Sequence, residues 1–257
     1  MAKNWAFRFH YKKTTCNGST IYSYITYNYA NFRAAWDPTD FVLMELLSVT
    51  GHANSGIRFL GWDRSGNTPL SGTGIHHPEG DLMKISFDNH NLISNSNTLT
   101  WTGGRPTSPT NTHWIVEYDN GTAEGGSSGS PLFDQNHRVI GQLHGGVFGC
   151  PPVIKLYGQF HRSWSGGGTN DTRLSNWLDP NNIGVTYLDD SHIPLCTSPI
   201  INFINQTVNT NQTVTGCYIN VQNVTVTNNK KLILDAIEGT TIIKDFEIQL
   251  GSELEIK

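Results

Sequence analysis

The chain has 257 residues, a formal net charge of −4 and only 15% charged residues, with 26 glycines and 11 prolines. That balance excludes the basic stripe of a nucleic-acid binder, since the longest basic runs are the pairs Lys12-Lys13 and Lys230-Lys231, and no run reaches the length of a membrane-spanning helix. Few charges, many turn formers and abundant aromatics predict an all-β protein. Four cysteines, at 16, 150, 196 and 217, show no metal-ligand spacing, and no motif asks for a metal or a cofactor. Residues 1 to 10 have no apolar signal core, which taken literally implies the cytosol.

In chain order, Trp5, Phe7, Phe9 and Tyr11 alternate with Ala6, Arg8, His10 and Lys12, which predicts a half-buried strand. Residues 21 to 32 are also β-like, with an open register. Asp37-Pro38-Thr39-Asp40 predicts a turn feeding the hydrophobic strand Phe41-Val42-Leu43-Met44-Glu45-Leu46. An acid at the mouth of such a strand, here Asp40, is expensive to bury unless something pairs with it. The adjacent His76 and His77 have no third ligand at a zinc-binding spacing and are read as structural. Residues 112 to 118 predict another strand. Leu174, Trp177 and Leu178 share one face of a predicted helix that Pro180 ends.

The most informative stretch runs from 124 to 146. Gly125-Gly126-Ser127-Ser128-Gly129-Ser130-Pro131 is a turn with little side-chain bulk, so a serine hydroxyl and neighbouring N–H groups can point at a ligand. Acyl transfer needs this arrangement, because a serine attacks a carbonyl only beside a base and with donors aimed at the oxyanion. Gly125-Gly126-Ser127-Ser128-Gly129 also fits a Gly-x-Ser-x-Gly elbow centred on Ser127. That elbow needs a buried strand before it and a helix after it, whereas residues 120 to 124 are polar and Pro131 leads into a short strand.

Gly126-Ser127-Ser128-Gly129-Ser130-Pro131 resembles the nucleophile loop of trypsin-like serine peptidases. Val139-Ile140-Gly141-Gln142-Leu143-His144-Gly145-Gly146 is similar to the strand that follows it in the bacterial lysyl endopeptidase branch. Gly61-Trp62-Asp63-Arg64, the block from Gly74 to Asp81, Lys84-Ile85-Ser86 and the segment from Arg173 to Pro180 extend the resemblance to about residue 188. It implies a double antiparallel β-barrel in which Ser128 is the nucleophile and Asp40 the triad aspartate. The N–H groups of Gly126 and Ser128 would form the oxyanion hole, and Trp101 and His144 would pair near the substrate's P1 side chain. The substrates would be proteins or peptides, with no nucleic acid, and the setting secreted or at the cell surface.

Two departures change that picture. The family's histidine in a Thr-Ala-x-His-Cys block has no counterpart here, because only His10 precedes Asp40. The expectation is therefore a chain that starts after the catalytic base, leaves Cys16 and Cys150 single and is inactive as it stands; the alternative is a non-catalytic homologue serving as a binding or surface module. In addition, Lys155 stands two positions before Tyr157-Gly158, where lysyl endopeptidases carry an acid, so lysine specificity does not carry over and an acidic P1 preference is the working expectation.

From about Asp189 the composition shifts to Asn, Thr, Val and Ile. Residues 189–205 read as a linker and 206–257 as a small β-solenoid-like module, built on the apolar pairs Val224/Val226, Leu232/Leu234, Phe246/Ile248 and Leu254/Ile256. It resembles C-terminal modules appended to secreted bacterial proteins, which implies surface attachment. Cys196 and Cys217 could close a loop in it. The domain expectation is thus a peptidase domain lacking its first strands over 1–188, the linker, and the tail.

Overall fold

The structure, a computed structural model, describes residues 5–47, 57–147, 149, 153–192 and 200–256. It divides into two compact units, Met1–Val49 with Phe59–Ser191 and Thr50–Arg58 with His192–Lys257.

In the first unit, β1 (Ala6–Phe9) pairs antiparallel with β2 (Ile25–Asn28), and β3 (Ala30–Trp36) with β4 (Phe41–Leu46). The short β5 (Arg58–Phe59) and β6 (Trp62–Asp63) follow, then β7 (Gly72–His76), β8 (Lys84–Asp88) and β9 (Ile93–Ser94). Next come β10 (His113–Glu117), β11 (Pro131–Phe133), β12 (Val139–Gly146) and β13 (Ile154–Gln159). Two short helices, α1 (Phe160–Ser165) and α2 (Ser175–Leu178), lead to β14 (Tyr187–Leu188) and β15 (Ser191–His192).

Nine of these strands make one sheet, ordered β8-β7-β11-β12-β13-β10-β9, with β6 joining β12 in parallel and β14 joining β6. The sheet curls into a half-barrel that stays partly open. Its concave core holds Leu92, Trp114, Val116, Tyr118, Leu132, Ile140, Leu143 and Tyr157. Gly74 on β7 leaves room there for the hydroxyls of Tyr118 and Tyr157, which bond to each other. A second cluster, Ala34, Phe41, Trp62, Phe160 and Leu174, ties β3 and β4 to β6 and α1, with Trp62 stacked on Phe160 at 5.7 Å.

The all-β class holds, but a complete double barrel does not appear among the described residues. The segment expected to form the first barrel gives two separate two-stranded sheets, β1–β2 and β3–β4. A two-stranded ribbon offers one partner per strand, so it cannot close on itself and leaves Trp5, Tyr29, Phe32 and Val42 exposed.

The second unit is built differently. β16 (Ile201–Val208), β17 (Gln212–Val226), β18 (Lys231–Ile248) and β19 (Glu253–Ile256) pair in parallel in that order. Ile201 lies beside Ile219, Leu232 beside Leu254 and Val224 beside Phe246, so like side chains stack from coil to coil. Val208, Val214, Ile219, Val221, Val224, Val226, Leu232 and Leu234 fill the interior. Asn205, Asn223 and Asp245 bend successive coils at the same place with φ of 54°, 51° and 54°, and the Asn223 amide donates to the Asn205 carbonyl at 2.7 Å. Cys217 is buried in this unit, whereas Cys196 and Cys150 lie outside the described residues. Cys16 is a free, exposed thiol.

Candidate active site

The glycine-rich turn before β11 is zipped onto β12. Gly129 N–H donates to the Leu143 carbonyl at 2.7 Å and Leu143 N–H to the Ser130 carbonyl at 2.9 Å, while Ser127 N–H closes back on the Glu124 carbonyl at 3.1 Å. Gly126 takes φ of 90° against the 77–80 turn, where a Cβ would press on the amides of Glu79 and Gly80. Only glycine meets both demands. The result is an exposed Ser128, flanked by Gly126 and by Gly129 at φ 81°. The N–H groups of Gly126 and Ser128 have no acceptor among the described residues, and neither has the Ser128 hydroxyl a partner.

Ser127, one position earlier, points the other way. It is 1% exposed and bonds His76 Nδ1 at 3.0 Å, and His76 Nε2 bonds the Ser86 hydroxyl at 3.0 Å. Ser86 donates to the Thr122 carbonyl at 3.4 Å, so it accepts from His76 Nε2–H, and Nδ1 is left to accept the Ser127 hydroxyl proton. Burial pushes the His76 pKa down, helped by His77 and Lys155, which keeps the ring neutral in this role. The elbow centred on Ser127 is thus a buried anchor, with no surface from which to attack a substrate. His77 is half-buried and faces the Asp81 carbonyl at 2.9 Å. The histidine pair has the structural character expected of it, although its link to the serine turn was not legible.

Asp40 closes a single 3₁₀ turn, Asp37–Thr39, in a left-handed conformation at φ 54°. Its neighbour Thr39 is fully buried and held from three sides. Gln142 Nε2 donates to its carbonyl at 2.7 Å, its hydroxyl bonds Ser163 on α1 at 2.9 Å, and Gly158 on β13 leaves the space its carbonyl fills. The Asp40 carboxylate is half-exposed and faces His144 Nε2 at 3.5 Å. Partial burial raises its pKa, against the pull of Arg105 and with a further push from Asp37.

His144 reaches Asp40 because β12 carries a bulge there. Leu143 pairs with Tyr157 and Gly145 with Leu156, which leaves His144 as the extra residue. Bulges re-aim side chains in this way. Its ring stacks on Trp101, with centroids 3.5 Å apart and planes 24° apart, and its Nδ1 lies 2.9 Å from His113 Nε2. The tautomers follow from the outer end of the chain. Thr112 donates to the Pro109 carbonyl at 2.6 Å, so it accepts from His113 Nδ1–H at 2.9 Å. His113 Nε2 then accepts from His144 Nδ1–H, and the His144 Nε2 lone pair is turned towards Asp40. Burial pushes His144 down to about 4, assisted by Arg105, and His113 to about 3, assisted by His144. Two acceptors therefore converge, and the carboxylate accepts no hydrogen bond from a described residue. His113 was read only as part of a strand, since an imidazole inside an apolar alternation carries no local signature.

Lys155 sits on β13 opposite Gly146, is buried, and donates from its ammonium to the Val147 carbonyl. Burial lowers its pKa, while Glu124, at the start of the serine turn, acts the other way. The structure brings Asp40, Trp101 and His144 into one cluster and lays the Ser128 turn against the same strand, β12. It forms no Ser–His–Asp triad among the described residues. One group with metal-ligand chemistry, Asp88, His90 and Asp119, lies apart from this site, and no described helix is long and apolar enough to cross a membrane.

Among known families, the one described as "Lysyl endopeptidase, C-terminal domain" matches residues 1–156. A lysyl endopeptidase of Pseudomonas aeruginosa is 32% identical over 149 residues, which cover 55% of this chain and 29% of that protein. The chain thus spans under a third of the length of that relative. Among solved structures, the active form of the Rv3671c protease of M. tuberculosis aligns with a TM-score of 0.37 at 16% identity, over 54% of this chain and 59% of that one. The MamO protease domain of Magnetospirillum magneticum aligns with a TM-score of 0.37 at 11% identity, over 60% of this chain and 70% of that one. Likenesses at that level carry no argument about fold or function.

Proposed function

This chain belongs to the lysyl endopeptidase family of bacterial serine peptidases, and from that premise we propose that it carries the acyl-transfer machinery of a peptide-bond hydrolase, with no base for Ser128 among the described residues. Ser128 is the nucleophile. An imidazole from outside the residues described here takes the Ser128 proton and donates its other N–H to Asp40, whose carboxylate has lone pairs free for it. The Gly126 and Ser128 N–H groups receive the oxyanion of the tetrahedral intermediate, and water then releases the acyl group from Ser128. The observation that carries this reading is the exposed Ser128 hydroxyl in a turn whose two N–H groups lack acceptors.

On the same reading, residues 1–188 are a trypsin-like peptidase domain with an incomplete first barrel, residues 189–205 a linker and 206–257 a module that holds the secreted protein at a surface. Trp101 and His144 flank the P1 side chain. Lys155, in place of an acid, favours an acidic P1 residue and repels lysine.

A fluorophosphonate tests the core of the proposal. This chain should not label above a Ser128→Ala control, because losing one member of a triad removes orders of magnitude of rate. The chain fused behind the family's Thr-Ala-x-His-Cys block should label at Ser128 and cleave peptides with Glu or Asp at P1 about tenfold faster than those with Lys. Labelling of that fusion that survives Ser128→Ala would sink the assignment, and a preference for Lys would remove the role given to Lys155. The unpartnered Ser128 hydroxyl also favours a second reading, a non-catalytic homologue; a fusion that neither labels nor cleaves would select it.

A further inference from the structure

We propose that Asp88, His90 and Asp119 form a transition-metal site of zinc type, outside the peptidase machinery and not required by it. β8 ends at Asp88, and the bridge between Phe87 and Asn120 brings residue 119 alongside, with Phe87 N–H on the Asn120 carbonyl and Asp119 N–H on the Phe87 carbonyl, each at 2.8 Å. The backbone thereby places three ligand groups, two carboxylates and an imidazole, from two segments within 4.8 Å of one another.

The distances decide between two readings. A direct hydrogen bond from the His90 ring to a carboxylate would sit at about 2.8 Å. His90 Nδ1 instead lies 3.4 Å from Asp88 Oδ1 and 3.6 Å from Asp119 Oδ1. Two ligands about 2.1 Å from a tetrahedral zinc ion stand about 3.4 Å apart, so both distances from His90 Nδ1 match ligands sharing one ion, and the three ligand atoms lie within 4.8 Å of one another.

The surrounding hydrogen bonds aim the carboxylates. Asp88 is buried; its Oδ2 accepts Glu117 N–H at 2.8 Å and its Oδ1 accepts His90 N–H at 3.0 Å. Asp119 Oδ2 is occupied by the backbone and side-chain N–H groups of Asn89, at 2.7 and 3.0 Å, which leaves Oδ1 to face the imidazole. Outer bonds of this kind orient metal ligands. The donor set, one imidazole nitrogen and two carboxylate oxygens, suits zinc better than calcium or magnesium, and a water completes the tetrahedron. A bound ion would clamp the end of β8 to the segment that enters the serine turn.

Titrating chelator-treated, tag-free chain with zinc chloride in a calorimeter tests the site. The expected result is one ion per chain at this site and a melting temperature raised by about 3 °C or more under excess zinc. His90→Ala, which removes a ring that is 75% exposed, should lower affinity at least about tenfold, and Asp119→Asn should do the same. Unchanged affinity in both variants, or no binding to the unaltered chain, would overturn the proposal. Either result leaves the peptidase reading standing.

Discussion

His113 cannot take a second proton without disturbing the relay that starts at Thr112, since its Nε2 must accept from His144 Nδ1–H, and burial opposes a charge on either ring. Their depressed pKa values, about 3 and about 4, make this a stability statement. In the unfolded chain both rings titrate near 6.5. Between that pH and the folded values the unfolded state binds more protons, so stability is complete above about pH 6.5 and falls as the pH drops towards 4 and then 3. For His144 alone the loss is roughly 3 kcal/mol. Urea unfolding at pH 7 and pH 4 should show it, and His144→Gln should flatten the slope; an equal slope in the variant would refute the relay. Trp101→Ala should remove about 1 kcal/mol of stacking and loosen the His144 ring. At this scale the sequence reading was uneven. A local motif marks Ser128, Asp40, Trp101 and His144 in the sequence, and the fold places the last three in one cluster. His113 and the His76–Ser127 anchor were not legible, since their partners are distant in sequence and only the folded sheet brings them together.

The strands matter to the site through where they let the backbone approach. Gly158 on β13 is the clearest case: a Cβ there would overlap the Thr39 carbonyl and the Gln142 amide, the two groups that fix the turn bearing Asp40. Gly158→Ala should cost about 3 kcal/mol, whereas Gly103→Ala, at φ 76° with open space around it, should cost only about 1 kcal/mol. Denaturant midpoints of the two variants measure the contrast, and similar values would contradict the packing argument. The strand starting at Pro131 and the turn into Phe41 were readable from alternation and turn residues. The bulge at His144 was not, because a bulge is a mismatch between two strands and neither strand alone encodes it.

Across the molecule, the two units follow different construction rules that composition already separates. The Gly-, Pro- and Trp-rich part gives an antiparallel curled sheet, and the Asn-, Thr- and Val-rich part gives parallel coils. The apolar pairs of the tail were legible as stacked strands, and Val224/Val226 and Leu232/Leu234 are buried while Ile248 and Ile256 are exposed; the stacked asparagines were not legible, since their spacing emerges only when coil lies on coil. Asn223→Ala should destabilise the tail by about 1–2 kcal/mol, through the left-handed backbone at φ 51° and the lost bond to Asn205. A calorimetric transition unmoved by that change would show the ladder to be passive. Because each coil touches only the coils directly above and below it, the tail behaves as a short one-dimensional stack whose strength is a sum of neighbour terms. Pulled from the Glu253–Ile256 end, it should unpeel in successive small force steps, β19 first, instead of rupturing at once.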